Sequence, residues 1–422
     1  MTASSVTPRS AADVAALGAI PRIPFALPCI GEQEIESVVA TLRSGWLTTG
    51  PKTKVFEEAF AQAVGARHAL AVNSGTAALH LALEALGVEA DDLVLVPTWT
   101  FTATAEVVRY LGAHPVFVDV DAATLNVDVA KLEERIIALK REGGGKLKAM
   151  MPVHVGGQAC EMDHIVRLAC SHGLAIVEDA AHAFPTTVNS ASVTERAPRS
   201  RMVGSVGHAT AFSFYATKTI ATGEGGMVTT EDDKMAERIR LMRLHGVSKD
   251  AWSRRASPLP PWYYEVLAPG FKYNLTDIAS ALGLVQLQRQ PALVARRTAI
   301  AKRYSAAFSG HPAIEPPVLR RPEDVCAWHL YVLRLNPDRL TIDRDQFTRE
   351  LDARGVGCSV HFIPLHLQPY WRDRYRLTQE MFPVASREFT RVVSLPIYPD
   401  MTDGMVDRVI EVVTEVASKC RR

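Results

Sequence analysis

The chain predicts an α/β protein: a large domain in which a mostly parallel sheet lies between helices, and a smaller α+β domain at the C-terminal end. Three observations predict this. Apolar, strand-like runs alternate with amphipathic or alanine-rich stretches through the middle of the chain, the rhythm of repeated strand and helix units. Several of those runs are continuously apolar, as strands covered on both faces are. At 422 residues and 47% hydrophobic content the chain has material for a substantial core and more than one domain.

Taken in order, the strand candidates are 68–72, 92–96, 115–119, 147–153, 173–179, 209–214 and 226–230, with helical stretches at 103–111, 128–141 and 161–172 between them. Helical signals then dominate 275–308, around Ala279, Leu282, Leu284 and Leu287. A boundary placed near Pro291 divides the chain into a flexible N-terminal arm (1–23), a large domain (24–290) and a small C-terminal domain (291–422). The small domain holds strand candidates at 329–335 and 357–363 and closes with an amphipathic helix at 403–418. The first twenty or so residues are rich in Ala, Ser and Thr with little pattern, which suits a disordered arm. Residues 185–201 mix Ser, Thr, Pro and Arg and read as a mobile loop. Its Arg196, Arg199 and Arg201 are either diphosphate contacts or solvated charges.

Composition excludes several classes of function. A formal net charge of +1 offers no electrostatic case for nucleic acid or an anionic membrane. The six cysteines form no CxxC pair and no ligand-like cluster, so free thiols in a reducing compartment are expected and no metal site. No uncharged apolar run is long enough to cross a bilayer, and the start of the chain has no signal-peptide hydrophobic stretch. A cytoplasmic enzyme is the expectation.

The chemistry begins at Lys218. It stands just past an apolar run, five residues after Ser213 and shortly before the cluster Gly223-Glu224-Gly225-Gly226. A lysine so placed suits a buried amine that forms a Schiff base, and hence pyridoxal phosphate. That cofactor needs a phosphate cradle, a flat wall and an acid, and all three occur upstream in order. The cradle is the turn Ser74-Gly75-Thr76 between a strand candidate and a helical run, where free N–H groups and the positive helix end would meet an anion; Gly75 and Thr76 are the candidate phosphate binders, and Ser74 or Thr76 the candidate cap. The wall is an aromatic just past the next strand end, Phe101 or Trp99. The acid is Asp179, where a continuous apolar strand ends in Glu178-Asp179. A carboxylate beside the pyridine nitrogen keeps it protonated, so the ring can accept electrons. Glu178 points to the other face and is read as structural. His182, in the following turn, is a candidate for the cofactor's phenolic oxygen or a histidine satisfied by backbone.

In combination these motifs resemble the DegT/StrS sugar aminotransferases, a branch of the fold-type I pyridoxal-phosphate enzymes, over nearly the whole chain from about Pro24. The similarity extends to Thr48-Thr49-Gly50-Pro51, Thr100-Phe101-Thr102-Ala103-Thr104-Ala105, Lys272-Tyr273-Asn274, His329-Leu330-Tyr331 and Val360-His361-Phe362. The resemblance implies that Lys218 carries the Schiff base, that Ser213 binds phosphate alongside Gly75 and Thr76, that Phe101 stacks on the ring and that Asp179 pairs with its nitrogen. It implies that Asn274 reaches the phosphate of the neighbouring subunit, giving a homodimer with shared active sites. It also implies a transfer from L-glutamate to a nucleotide-linked keto sugar, an NDP-4-keto-6-deoxyhexose, with pyridoxamine phosphate between the two halves of the reaction. Thr48, His329 and His361 are candidate substrate contacts. Relatives that carry histidine in place of the lysine are dehydratases, so Lys218 favours transamination. A keto-cyclitol aminotransferase shares every one of these motifs.

Overall fold

The computed structural model describes residues 22–422 apart from 144, 196, 249–251, 253–259 and 261. Arg196 and the expected arm up to residue 21 lie outside the described residues, as does most of the proline-rich stretch 258–261. Strands β1 (His68–Val72), β2 (Leu93–Pro97), β3 (His114–Val118), β4 (Leu147–Met150), β5 (Ala175–Asp179), β6 (Thr187–Ser190), β7 (Arg199–Met202), β8 (Ala209–Ser213) and β9 (Gly226–Thr230) carry the first part of the chain. Seven of them form one sheet in the order β1-β9-β8-β5-β4-β2-β3, parallel from β8 to β3, with β9 antiparallel to both of its neighbours. Each of the seven strands expected from the sequence is present within a few residues.

The two-residue alternation of the strands sorts their side chains into two cores. Val94, Val96, Val177, Ala211 and Val228 pack beneath the helices Gly75–Ala85, Ala103–Tyr110 and Asp233–Met242. Their neighbours Leu95, Ile176, Phe212 and Met227 face the other way, beneath Pro51–Val64, Val129–Glu142 and Met162–His172. This is the double-sided cover that continuous apolar runs require. Register then assembles the site. Asp179 ends β5 beside Ala211, while Ser213 ends β8 opposite Gly226, which also faces Val72 at the end of β1. The carboxyl ends of the parallel strands therefore converge where such sheets place their ligands.

One helix of 32 residues, Asp277–Phe308, links the large sheet to the C-terminal part, capped by Thr276 and running through Pro291. The expected boundary near Pro291 thus falls inside a continuous element. Beyond it, β10 (Ile314–Glu315), β11 (Tyr331–Leu335) and β12 (Val392–Leu395) form an antiparallel sheet. Val409, Val412, Val413 and Val416 of the helix Asp403–Lys419 share a third core with Tyr304, Leu333 and Val393. Among the described residues no helix is long and apolar enough to cross a membrane.

Two sequence expectations are corrected. Residues 357–363 make only the isolated bridge Ser359–Ser394, because the chain leaves the sheet here and Leu365 N–H donates to Thr98 O at 2.8 Å. Residues 185–201 are not loop throughout: β6 and β7 pair along a four-residue antiparallel register at its two ends. Within that hairpin Arg199 and Arg201 both bind Glu195, at 3.0 and 2.6 Å, and Arg201 is buried. The charge of Arg201 is satisfied within the hairpin, while Arg199 stays exposed beside the same carboxylate.

Candidate active site

The turn between β1 and the helix Gly75–Ala85 forms the first wall. Ser74 caps that helix through Oγ, accepting from Ala77 N–H at 3.0 Å, which leaves the Gly75 and Thr76 amides, first in the helix, with no partner inside it. They point the positive helix end at the cavity. Glycine is needed on both sides of this approach. A Cβ at Gly75 would stand 3.0 Å from Ser213 Cβ, and one at Gly226 only 2.4 Å from Ser74 O.

The end of β5 forms the second wall. Asp179 is buried, its carboxylate accepting from Thr104 Oγ1 at 2.7 Å and Ala181 N–H at 3.1 Å, and Thr104 is itself held by Thr100 Oγ1 at 2.7 Å. Glu178 faces the opposite core, wholly buried, accepting from Gly207 N–H at 2.7 Å and Thr210 Oγ1 at 2.9 Å, with His154 Nε2 at 3.1 Å. His154 Nδ1 accepts from Cys160 N–H at 3.0 Å. That nitrogen carries no proton, so the imidazole is neutral and donates to Glu178 through Nε2.

Lys218 and Ser213 close the floor of a cavity of about 370 Å³ lined also by Gly75, Thr76, Phe101, Asp179, His182, His329 and His361. The Lys218 amine is ringed by protein, and burial brings its pKa down from the free range to about 8, against the opposing pull of Asp179. Three histidines surround it. Burial, then Lys218 and His361, hold His182 well below the usual imidazole range; its Nδ1 accepts from Gly156 N–H at 3.3 Å, so Nε2 is the donor. His329 is likewise held low by burial, His182, Lys218, Arg297 and His361. His361 falls to about 4 through burial and Lys218, its Nδ1 lying 3.0 Å from Ser394 Oγ. Phe101 is largely exposed over the opening, 6.0 Å from Phe362, whose ring stacks on His182 at 5.5 Å.

Nine of the eleven site residues expected from the sequence thus meet in one cavity. The other two meet elsewhere. Asn274 Nδ2 donates to Thr49 Oγ1 at 2.6 Å, and the neighbouring Thr48 is exposed, its carbonyl accepting from Asp277 N–H at 3.2 Å. Neither lines the cavity of its own chain. Thr104, Tyr215, Glu224 and Phe362 also line the cavity or hold a group that does, with no role foreseeable from the sequence alone. Thr104 and Phe362 stand in the motifs that carry the family resemblance, and Glu224 in the glycine cluster after Lys218.

A helix-end anion cradle, a fixed carboxylate, an amine of lowered pKa with no partner among the described residues and an aromatic wall fit pyridoxal phosphate. Together with the doubly covered sheet they define a fold-type I enzyme of that cofactor. Residues 28–414 match the model of the DegT/DnrJ/EryC1/StrS aminotransferase family, and the chain belongs to that family. It is similar to the spore coat polysaccharide biosynthesis protein SpsC of Bacillus subtilis, 47% identical over 395 residues that cover 93% of this chain and 97% of that one. Among solved structures it resembles the putative sugar aminotransferase Spr1654 from Streptococcus pneumoniae in its PMP form, with a TM-score of 0.84, 33% identity and coverage of 94% and 100%. It also resembles Helicobacter pylori PseC, an aminotransferase involved in pseudoaminic acid biosynthesis, with a TM-score of 0.82, 27% identity and coverage of 94% and 100%. The protein is a pyridoxal-phosphate-dependent aminotransferase.

Proposed function

We propose that the enzyme transfers an amino group from L-glutamate to a nucleotide-linked keto sugar, an NDP-4-keto-6-deoxyhexose, in a homodimer with shared active sites. The observation that carries the chemistry is the Lys218 amine, poised near pH 8 in the same cavity as an Asp179 carboxylate fixed by Thr104. The sugar class is supported by the relatives, whose names refer to spore coat polysaccharide, a sugar aminotransferase and pseudoaminic acid.

In this reading Gly75 and Thr76 amides with the Ser213 hydroxyl hold the cofactor phosphate, Phe101 covers the ring, and Asp179 keeps a proton on the ring nitrogen. When bound, pyridoxal phosphate supplies an electrophilic carbonyl carbon and an electron-accepting ring. Lys218 anchors it and then moves the proton of the donor's alpha carbon, work that suits an amine titrating near working pH. His182 offers Nε2–H to an oxygen on the ring's edge. His329 and His361, kept neutral, present hydrogen-bonding rings to donor or sugar without a competing positive charge beside Lys218. Thr48 and Asn274 act on the partner's cavity, Asn274 at its phosphate, which accounts for their clustering outside their own chain's site.

The test is a panel of nucleotide-linked keto sugars and keto cyclitols offered to the purified enzyme with ¹⁵N-labelled L-glutamate. Label in the amine of a 4-keto-6-deoxyhexose nucleotide is the expected result. Transfer confined to cyclitols overturns the sugar assignment.

A further inference from the structure

Arg297 is a cation with no anion. It lies on the helix Asp277–Phe308, is 3% exposed and makes no ion pair among the described residues. Its guanidinium reaches two backbone carbonyls through Nη1, Ile397 O at 2.7 Å and Trp328 O at 3.3 Å, while Nε has no partner. The neighbour nearest to an anion is the Cys29 thiol, itself held protonated by burial and Asp400, its pKa raised to about 11. A buried charge without a counter-ion costs several kcal/mol, so a packing role alone would be served more cheaply by Met or Gln.

What Arg297 holds is the turn that carries His329 into the cavity. Trp328 adopts a left-handed backbone at φ +48°, a conformation that costs a non-glycine residue roughly 1 kcal/mol or more and persists only where its surroundings impose it. On either side the chain is tied to the large domain. Ala327 N–H donates to Thr186 Oγ1 at 3.2 Å and Leu330 N–H to Gly156 O at 3.2 Å. Gly157, at φ +101°, comes so close that a Cβ there would lie 2.9 Å from Trp328 N. Between these ties the Trp328 carbonyl is bound by Arg297, and the next ring, His329, lies in the cavity wall with a buried Nδ1 that has no partner.

We propose that Arg297 is a positioning residue that seats the Trp328–His329 turn in the cavity wall and sets a fixed positive charge behind the His329 ring. The charged and titratable groups facing that ring are His182, Lys218, Arg297 and His361. Three of these lose or lack charge as pH rises through the working range, and Arg297, which burial brings only to about 10, keeps its own. Its charge thus adds to burial, the largest cause, in disfavouring the imidazolium of His329 across the whole range in which the other three titrate. The kinetic consequence rests on the reading of His329 as a substrate contact, but the electrostatic one does not.

The test uses holoenzyme labelled with ¹³C at histidine Cε1, with His329→Gln assigning the resonance. Removing a neighbouring cation favours the imidazolium, so Arg297→Met should move the onset of His329 protonation to higher pH, while Arg297→Lys should leave it in place. Both variants lowering Tm with the titration of His329 unmoved would reduce Arg297 to a structural residue and overturn the proposal. If Arg297→Met does not fold, Arg297→Gln, which still donates to one carbonyl, is read in the same way. Single-turnover reaction with L-glutamate completes the cycle. The Arg297→Met loss should disappear in the His329→Gln background, and losses that multiply in the double variant would show that Arg297 does not act through His329. A His329→Gln enzyme with wild-type kinetics in both half-reactions removes the substrate-contact reading alone, and the titration still decides for Arg297.

Discussion

Lys218 and Asp179 set the pH response of the site. With its amine brought to about 8, Lys218 is mostly protonated at pH 7 and mostly free at pH 9. The rate at which apoenzyme captures pyridoxal phosphate should therefore rise through pH 8, followed by the cofactor's visible absorbance. Asp179 favours the charged amine, so Asp179→Asn should move that midpoint down. Lys218→Ala should have no such band and no single-turnover reaction with glutamate. The two adjacent carboxylates should separate cleanly. Asp179→Ala should slow the glutamate half-reaction by about 100-fold or more, the scale seen when an electrostatic partner of the reacting group is lost. Glu178→Ala strands His154 Nε2–H, Gly207 N–H and Thr210 Oγ1 in the core and should cost about 3–5 kcal/mol of stability while chemistry survives. Equal effects of the two substitutions in denaturant melts and single-turnover kinetics would refute the assignment of strand faces.

The helix Gly75–Ala85 and the strand end at Gly226 act as one element. Ser74→Ala removes a cap hydrogen bond and should cost about 1 kcal/mol, measurable by urea denaturation, with a modest effect on cofactor affinity. Gly226→Ala should do the reverse. The added methyl meets Ser74 O at 2.4 Å and must push the cradle off β9, so cofactor Kd should weaken far more than stability falls. Fluorescence titration of apoenzyme with pyridoxal phosphate decides this. The cradle was readable because a strand, a capping turn and a helical run follow one another within a few residues. The 357–363 segment was misread because His361 and Phe362 have strand-like composition, yet their backbone is drawn out of the sheet by Thr98, 267 residues away from Leu365 in the chain. The sequence of 185–201 reads as a loop since the short strands within it, rich in Ser, Thr and Arg, have little alternation of their own. The hairpin is held by Thr187 N–H to Val325 O at 3.0 Å and Arg321 Nη1 to Asn189 O at 2.8 Å.

The whole molecule carries one more prediction. Asn274 does not line its own chain's cavity, and under the proposed shared-site dimer Asn274→Asp would set a negative charge against the partner's cofactor phosphate. Neither the Asn274→Asp nor the Lys218→Ala homodimer should work well. A mixed dimer concentrates both lesions in one site and leaves the other intact. Random subunit exchange makes about half the dimers mixed, each with one good site of two, so about a quarter of wild-type activity should return. No recovery after exchange verified by mass spectrometry would place Asn274 and Lys218 in the same subunit's site, or Asn274 in neither.

The sequence by itself determined the succession of strands that build the large sheet and the family, and it singled out Lys218, Asp179, Gly75 and Thr76, because each belongs to a local pattern: an apolar run with its two-residue alternation, then a turn of fixed composition. Tertiary structure alone decided which carboxylate has which surroundings, that Thr104 holds Asp179, that three histidines from distant segments crowd one amine, and that Arg297 is buried without a counter-ion among the described residues. These depend on burial and on charges brought together from segments far apart in the chain, such as His361 and Lys218. Desolvation and Coulomb interactions are properties of the folded neighbourhood, with no periodicity to announce them in the sequence.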